Sequence, residues 1–169
     1  RHGIDFEVVP GITSAVAGPS VAGIPATHRE HASAFVAVTG HEDPSKDDSA
    51  LDWDALSGIV AAGGTLVILM GVGRLPDNVA ALREGAVGPD TPVAMVERAT
   101  LSDERVVTGT IGTIVDRAEA AGIEPPAVTV IGDVVDVREA VAHCLGEDGA
   151  VAERPAVGRG EELAGVNHR

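Results

Sequence analysis

Apolar and polar positions follow one another along the chain in blocks that predict an α/β fold. Residues 65–70, Thr-Leu-Val-Ile-Leu-Met, form a continuous apolar run, which is typical of a strand covered on both faces of a sheet. Other runs of this kind predict further strands, and several segments between them carry apolar residues at helical spacing. The alternation of strands and helices predicts an open α/β sheet with flanking helices.

The element boundaries follow from turn and capping residues. The predicted strands cover residues 33–39, 65–70, 92–97, 105–108 and 128–131, and the predicted helices cover residues 53–62, 76–84, 111–121 and 137–145. Asp52 and Thr110 are predicted N-caps, because their side-chain oxygens can accept from the free N–H groups of a first helical turn. Gly122 is predicted to end its helix. Residues 105–108 are expected to pair with residues 92–97 as a hairpin.

An early segment combines a turn, a helix of small residues and a cationic loop. A Pro-Gly pair interrupts the strand-like run 6–9. Thr13 or Ser14 is then predicted to cap a helix rich in Ala and Gly, whose narrow face lets another backbone or a flat ligand approach closely. Pro25 is predicted to end this helix, and a Thr-His-Arg loop follows at residues 27–29.

Composition restricts the partners that the chain can have. Its net charge is −14, from 26 acidic and 12 basic residues, so a nucleic acid would be repelled overall. Aromatic residues make up 2% of the chain, which leaves almost no stacking platform for single-stranded nucleic acid. Lys46 is the only lysine. An acidic excess with few lysines is typical of halophilic proteins, and it also fits an ordinary acidic protein from a GC-rich genome.

The single cysteine and the lack of long apolar runs suggest a compartment. Cys144 alone cannot form an internal disulfide or a cysteine-based metal cage, and this favours the reducing cytoplasm. No apolar run reaches the roughly 18 residues of a membrane span, so no membrane partner is expected.

Residues 146–169 hold five glycines and several charges with little apolar periodicity, and we predict that they form a largely disordered tail.

Six motifs follow the early segment in a fixed order. They are Val-Thr-Gly-His at 38–41, Leu-Asp-Trp at 51–53, Thr-Leu-Val-Ile-Leu-Met-Gly at 65–71, Thr-Pro-Val-Ala-Met-Val-Glu at 91–97, Arg-Val-Val-Thr-Gly at 105–109 and Val-Ile-Gly-Asp-Val at 130–134. With these motifs, residues 3–140 resemble the S-adenosylmethionine-dependent tetrapyrrole methylases, and among them the members that methylate uroporphyrinogen III. The family's glycine-rich first strand turn and Gly-Gly-Asp-Pro loop have no counterpart here. The resemblance therefore implies a carboxyl-terminal half, with the N-terminal domain absent.

The resemblance also implies a domain organisation and a fold. Residues 1–10 would be a remnant of the N-terminal domain, and residues 11–30 an inter-domain helix and loop. Residues 31–145 would form the C-terminal α/β methylase domain, followed by the tail. The implied fold is a three-layer mixed sheet with flanking helices.

S-adenosylmethionine is the implied methyl donor, and no metal is implied. In the family, positions matching Thr13, Ser14, Met70 and Ala99 line the cofactor pocket, and the position matching Ala127 contributes backbone contacts. The carboxyl ends of neighbouring strands in an open α/β sheet form a crevice that can hold a cofactor of this kind. Many relatives carry Gly at the position of Ala99. Without the resemblance, Met70 would be ordinary core and Thr13 and Ser14 an ordinary helix cap.

Uroporphyrinogen III is the implied substrate, and its carboxylates require local positive charge. Arg29 matches a substrate-facing position of the family's Thr-His-Arg motif, beside His28, and His41 belongs to the Thr-Gly-His motif. A guanidinium binds a carboxylate in bidentate fashion. We expect the loop after Pro25 to place Arg29 at the mouth of the cofactor cleft. The alternatives are a surface ion pair of Arg29 with Glu30 or Glu42, and histidines that are solvated or satisfied in the core.

The sequence offers two further cations and a possible metal site. Arg74 and Arg98 follow predicted strand ends, where either can meet a propionate, although solvent exposure is the ordinary expectation. A zinc site from His28, His31 and His41 is geometrically possible through the His-x-x-His spacing. No cysteine contributes to it, and its ligands would come from separate elements, so we expect no metal.

The implied reaction is methyl transfer to C2 and then C7 of uroporphyrinogen III, giving precorrin-2 for sirohaem or cobalamin synthesis. The resemblance also implies a homodimer. The family's acid–base groups lie in the absent half, so no catalytic residue is assigned here. One alternative is a related methylase that acts on a later corrin precursor or, like diphthine synthase, on a protein side chain. Another is a non-catalytic α/β module that dimerises or binds a nucleotide.

Overall fold

The computed structural model describes residues 3–42 and 50–144, with the backbone alone for residues 143 and 144. The tail at residues 146–169, for which disorder was predicted, lies outside the described residues. Among the described helices, none has the length and apolar character that crossing a bilayer requires.

Five strands and five α-helices make up the described part of the chain. The strands are β1 (Phe35–Thr39), β2 (Thr65–Leu69), β3 (Pro92–Glu97), β4 (Arg105–Thr110) and β5 (Ala127–Ile131). The helices are α1 (Ser14–Val21), α2 (Trp53–Ala61), α3 (Leu75–Glu84), α4 (Ile114–Ala121) and α5 (Val137–Cys144). Short 3-10 turns cover Val72–Arg74 and Asp133–Asp136.

The strands form one mixed sheet in the order β1-β2-β5-β3-β4. β1 and β2 are parallel, and every other pair is antiparallel. The last strand in the sequence, β5, therefore lies between β2 and β3. Since β5 runs against both of them, β2 and β3 end at the same edge of the sheet, and β5 begins there. The expectation that the cofactor crevice lies between neighbouring strands is therefore wrong for β2 and β3, because β5 separates them.

Helices cover both faces of the sheet, because successive side chains of a strand point to opposite faces. On one face, Leu66, Ile68 and Met95 pack with residues of α2, α3 and α4. On the other, Val67 and Val130 pack with α1 and the second 3-10 turn. This arrangement confirms the three-layer α/β fold. The exposed fraction of the β2 residues 66–68 is at most 1%, and each such burial stabilises the fold by about 1.5–3 kcal/mol.

The predicted helix caps are largely confirmed. The Asp52 carboxylate accepts from the backbone N–H of Ala55 at 2.9 Å and begins α2. The Thr13 hydroxyl accepts from Ala15 N at 3.3 Å and begins α1. Gly122 ends α4 with a φ of 60°, which a glycine adopts without steric cost.

Two boundaries around helices were predicted wrongly. Thr110 is the last residue of β4 rather than the cap of α4. The helix begins only at Ile114, because the Thr113 hydroxyl accepts from Thr110 N at 2.9 Å and closes an intervening turn. Pro25 does not end α1, which stops at Val21 before a left-handed residue, Gly23.

The strand-like run 6–9 is not a strand in the structure. Residues 3–12 lie in an irregular, exposed segment, and their large apolar side chains are 77–88% exposed. β-Branched residues favour a strand only where a neighbouring strand can accept their backbone hydrogen bonds and cover one face. No strand in the described part of the chain pairs with this segment.

Candidate functional site

An apolar cleft of about 710 Å³ opens where β2 and β3 end and β5 begins. Its volume lies within the range of small-molecule sites. Among the residues predicted to bind the cofactor, the cleft is lined by Ser14, Met70, Ala99 and Ala127. Thr13, the remaining one, is the N-cap of the helix that presents Ser14.

The sheet topology brings these residues together from distant parts of the chain. Met70 directly follows β2, and Ala99 lies two residues beyond the end of β3. Ala127 opens β5 and is paired with Glu97. The backbone N–H of Arg98 donates to Pro126 O at 2.9 Å, so the loop after β3 and the segment before β5 are joined across the floor of the cleft.

The residues after β2 and β3 have unusual backbone conformations. In the described part of the chain, the non-glycine residues with a positive φ are Met70, Arg98 and Thr100, at 54°, 49° and 75°. Such conformations cost about 1–3 kcal/mol each and cluster at functional sites. Met70 is also 66% exposed, so its side chain lines the cleft and is not part of the core.

A glycine in α1 lets this helix approach the cleft closely. A Cβ on Gly18 would lie 3.4 Å from Val128 Cγ2 and 3.8 Å from Ala99 Cβ. A larger side chain at this position would push the helix away from the start of β5. The Ala- and Gly-rich face of α1 therefore helps to place Ser14 at the cleft.

The Thr-Gly-His motif lies at the same edge, because β1 is parallel to β2. Gly40 donates from its N–H to Leu69 O at 2.7 Å and accepts from Asn78 Nδ2 at 3.1 Å. The side chain of His41 is exposed, and its Nδ1 lies 3.0 Å from the hydroxyl of Thr39. These contacts hold His41 beside the turn that follows β2.

Arg29 and His28 lie at the opposite edge of the sheet. Arg29 lines a separate cavity of about 330 Å³, together with residues that precede β1 and β2. At about 3.3 Å per residue, a five-residue strand separates the two edges by roughly 16 Å. The expectation that Arg29 stands at the mouth of the cofactor cleft is wrong, because the chain enters β1 at one edge and leaves it at the other.

Arg98 is a cation that lines the cleft itself. Its Nε lies 2.7 Å from Asp103 Oδ2 in an ion pair that is about half exposed. The sequence indicated Arg98 as a possible binding residue because it directly follows a predicted strand. Arg74, the other arginine at a strand end, pairs with Asp77 at 2.9 Å.

A buried acidic residue, which was not predicted as functional from the sequence, lies directly before Arg98. Glu97 is 4% exposed and forms an ion pair with Arg105, the residue paired with it across the β3–β4 hairpin. Arg105 also donates to Ala121 O and Gly122 O, both at 2.8 Å. A buried carboxylate requires such a partner. The ion pair could have been predicted from the sequence, because Glu97 and Arg105 carry opposite charges at facing ends of the predicted hairpin.

Comparison with known proteins gives a consistent result. Residues 1–115 match the family described as Tetrapyrrole (Corrin/Porphyrin) Methylases. An S-adenosyl-L-methionine-dependent uroporphyrinogen III methyltransferase of Methanosarcina barkeri is 52% identical over 136 residues, which cover 80% of this chain and 52% of the relative. A uroporphyrinogen-III C-methyltransferase of Methanocaldococcus jannaschii is 44% identical over 138 residues, covering 81% and 55%.

A solved structure has the same fold. It is the uroporphyrin-III C-methyl transferase of Thermus thermophilus complexed with S-adenyl homocysteine, 36% identical, with a TM-score of 0.63. The match covers 80% of this chain and 54% of that one. The chain thus spans about half the length of the curated relatives that it matches.

Proposed function

Because the chain belongs to the tetrapyrrole (corrin/porphyrin) methylase family, we propose that it takes part in methyl transfer from S-adenosylmethionine to C2 and C7 of uroporphyrinogen III. The product would be precorrin-2. The observation that carries the proposal is the apolar cleft at the ends of β2 and β3. When bound, S-adenosylmethionine supplies an electrophilic methyl group, and the chain's own residues position the two reactants.

The cleft residues suit the methyl donor. Met70 and Ala99 offer apolar surface for a flat ring, and the backbone around Ala127 offers polar groups for the ring's edges. The Thr13 cap fixes the start of α1, and Ser14, the first residue of this helix, lines the cleft. We propose these five residues as the cofactor-binding set of this chain.

The substrate has to meet the methyl donor at the same edge. Methyl transfer requires the reacting atoms to approach within about 3–3.5 Å in line. Arg98 lines the cleft and His41 lies at the same edge of the sheet, which supports a role in holding the carboxylates of uroporphyrinogen III. A substrate-binding role for Arg29 and His28 remains a prediction from the resemblance, and their position in the fold does not favour it. The homodimer and the cytoplasmic location also remain predictions.

The first test compares the chain alone with a completed protein. We expect the isolated chain to bind S-adenosylhomocysteine weakly or not at all, because Met70 and Leu101 of the cleft are 66% and 51% exposed and leave one side of a ligand uncovered. Joined to the part of the Methanosarcina barkeri relative that it does not cover, the chain should methylate uroporphyrinogen III. Calorimetric titration and a methyl-transfer assay measure the two results.

Low-micromolar binding by the isolated chain would show that its cleft is complete by itself. A folded joined protein that binds S-adenosylhomocysteine but leaves uroporphyrinogen III unmethylated would point to another methyl acceptor. A folded joined protein that binds no S-adenosylhomocysteine would contradict the proposed function altogether.

A second prediction separates the two edges of the sheet. In the joined protein, Arg98→Ala should raise the KM for uroporphyrinogen III about tenfold to a hundredfold, because a charge-assisted carboxylate contact is worth about 1.5–3 kcal/mol. Arg29→Ala is the matched control, and its effect on this KM should be small. Steady-state kinetics with each substrate varied in turn measures both. A larger effect of Arg29→Ala would place the tetrapyrrole at the opposite edge.

A further inference from the structure

The turn between α1 and β1 brings two histidines and a carboxylate together. One ligand atom each of His28, Glu30 and His31 lies within 4.8 Å of the others. The ring centroids of the two histidines are 4.9 Å apart. Both histidines are half-buried, whereas Glu30 is exposed. This spacing is close enough for the three ligand atoms to surround one metal ion.

The backbone of this turn is held in place by several hydrogen bonds. His28 and Ala32 exchange two backbone hydrogen bonds of 2.9 Å, and His31 N donates to His28 O at 3.1 Å. Ala32 is buried in the core beneath α1. The ligands therefore start from a defined geometry, which lowers the entropic cost of binding.

The donor set indicates the kind of ion. Imidazole nitrogens together with one carboxylate oxygen are typical zinc ligands, at about 2.0–2.2 Å. Magnesium and calcium prefer sets made of oxygen alone. The Nδ1 of His28 accepts a long hydrogen bond, 3.3 Å, from Glu30 N, and a bond of this length is weak enough for a metal ion to replace.

We propose that His28, Glu30 and His31 form a zinc-binding site on the turn that enters β1, at the sheet edge opposite the methyl-donor cleft. The zinc site considered from the sequence had His41 as its third ligand, and it fails because His41 lies at the other edge. Glu30 replaces it, so that all three ligands come from one turn. The net charge of −14 attracts cations to the chain. The proposal is independent of the methyl-transfer reaction.

Calorimetric titration of the chain with zinc chloride tests the site. We expect one zinc ion per chain, and at least about tenfold weaker binding for each of His28→Ala, Glu30→Gln and His31→Ala. His41→Ala is the matched control and should bind zinc as the parent chain does. Arg29→Gln should tighten binding, because it removes the cation within the turn. An excess of magnesium chloride should not displace the zinc.

Several outcomes would overturn the proposal. Zinc affinity that is unchanged in Glu30→Gln and His31→Ala would place the ion elsewhere on the chain. An equal loss of zinc affinity in His41→Ala would also place the ion elsewhere. Displacement of zinc by magnesium would indicate a site made of carboxylates. Thermal melts in EDTA check that each variant is folded. If an alanine variant is not folded, the zinc affinity of Glu30→Gln tests the site instead, because Glu30 is exposed and the change preserves the shape of its side chain.

Discussion

Gly73→Trp should reduce methyl transfer by the joined protein at least about a hundredfold without unfolding it. Gly73 lines the cleft, and a Cβ added there meets no atom within 4 Å. An indole ring at this position would therefore enter the cleft without straining the backbone, and it would occupy the space proposed for the methyl donor. A hundredfold loss corresponds to about 2.7 kcal/mol. Calorimetry with S-adenosylhomocysteine and the methyl-transfer assay measure the effect.

The matched control is Gly58→Trp, on the exposed side of α2, where an added Cβ also meets open space. It should leave binding and turnover unchanged. Met70→Ala removes one wall of the cleft and should weaken cofactor binding more than tetrapyrrole binding. If Gly73→Trp is folded and retains full activity, the methyl donor does not bind in this cleft.

Gly132→Ala should destabilise the fold by about 2–6 kcal/mol. Gly132 follows β5 with a φ of 130°, and an added Cβ would lie 2.8 Å from the backbone oxygen of Gly64. A strained backbone costs about 1–3 kcal/mol, and overpacking costs a similar amount. The sum is a large part of the 5–15 kcal/mol that stabilises a typical domain. Urea unfolding of the parent chain and the variant gives the difference.

Gly58→Ala is the matched control for this substitution, because it places the same methyl group in open space within a helix. It should raise the free energy of unfolding by about 0.5–1 kcal/mol. Equal unfolding free energies for the parent chain and Gly132→Ala would mean that the turn after β5 relaxes freely. The close approach of residue 132 to Gly64 would then not affect the free energy of unfolding.

The elements were predictable because the rules that form them act over a few residues. The apolar run at residues 65–70 predicted β2, since a strand covered on both faces needs no polar positions. Asp52 indicated the start of α2 through a hydrogen bond that spans three residues. The predicted start of α4 was wrong for the opposite reason, because it depends on a contact with a residue that is distant in the chain. Thr110 and Thr113 are both plausible caps, and strand pairing with Pro92 decides between them.

Strand order could not be predicted, because it depends on contacts between residues far apart in the chain. Nothing local to β5 indicates that it lies between β2 and β3. The edge at which Arg29 lies depends on β1 running parallel to β2, and the meeting of Met70, Ala99 and Ala127 depends on the position of β5 between β2 and β3. Each of these three residues looks ordinary by itself, and only the family resemblance grouped them. Glu30 was not among the ligands considered for a zinc site, because its position beside the two histidines depends on how the turn folds.

The central position of β5 has a consequence for synthesis on the ribosome. β5 is translated after the other four strands, yet both β2 and β3 pair with it. Until residues 127–131 emerge, the nascent chain holds two separate strand pairs, each with an apolar edge open to other chains. Such edges promote intermolecular pairing. We therefore expect nascent chains from which residues 127–131 have not yet emerged to aggregate more than nascent chains in which β5 has left the ribosome.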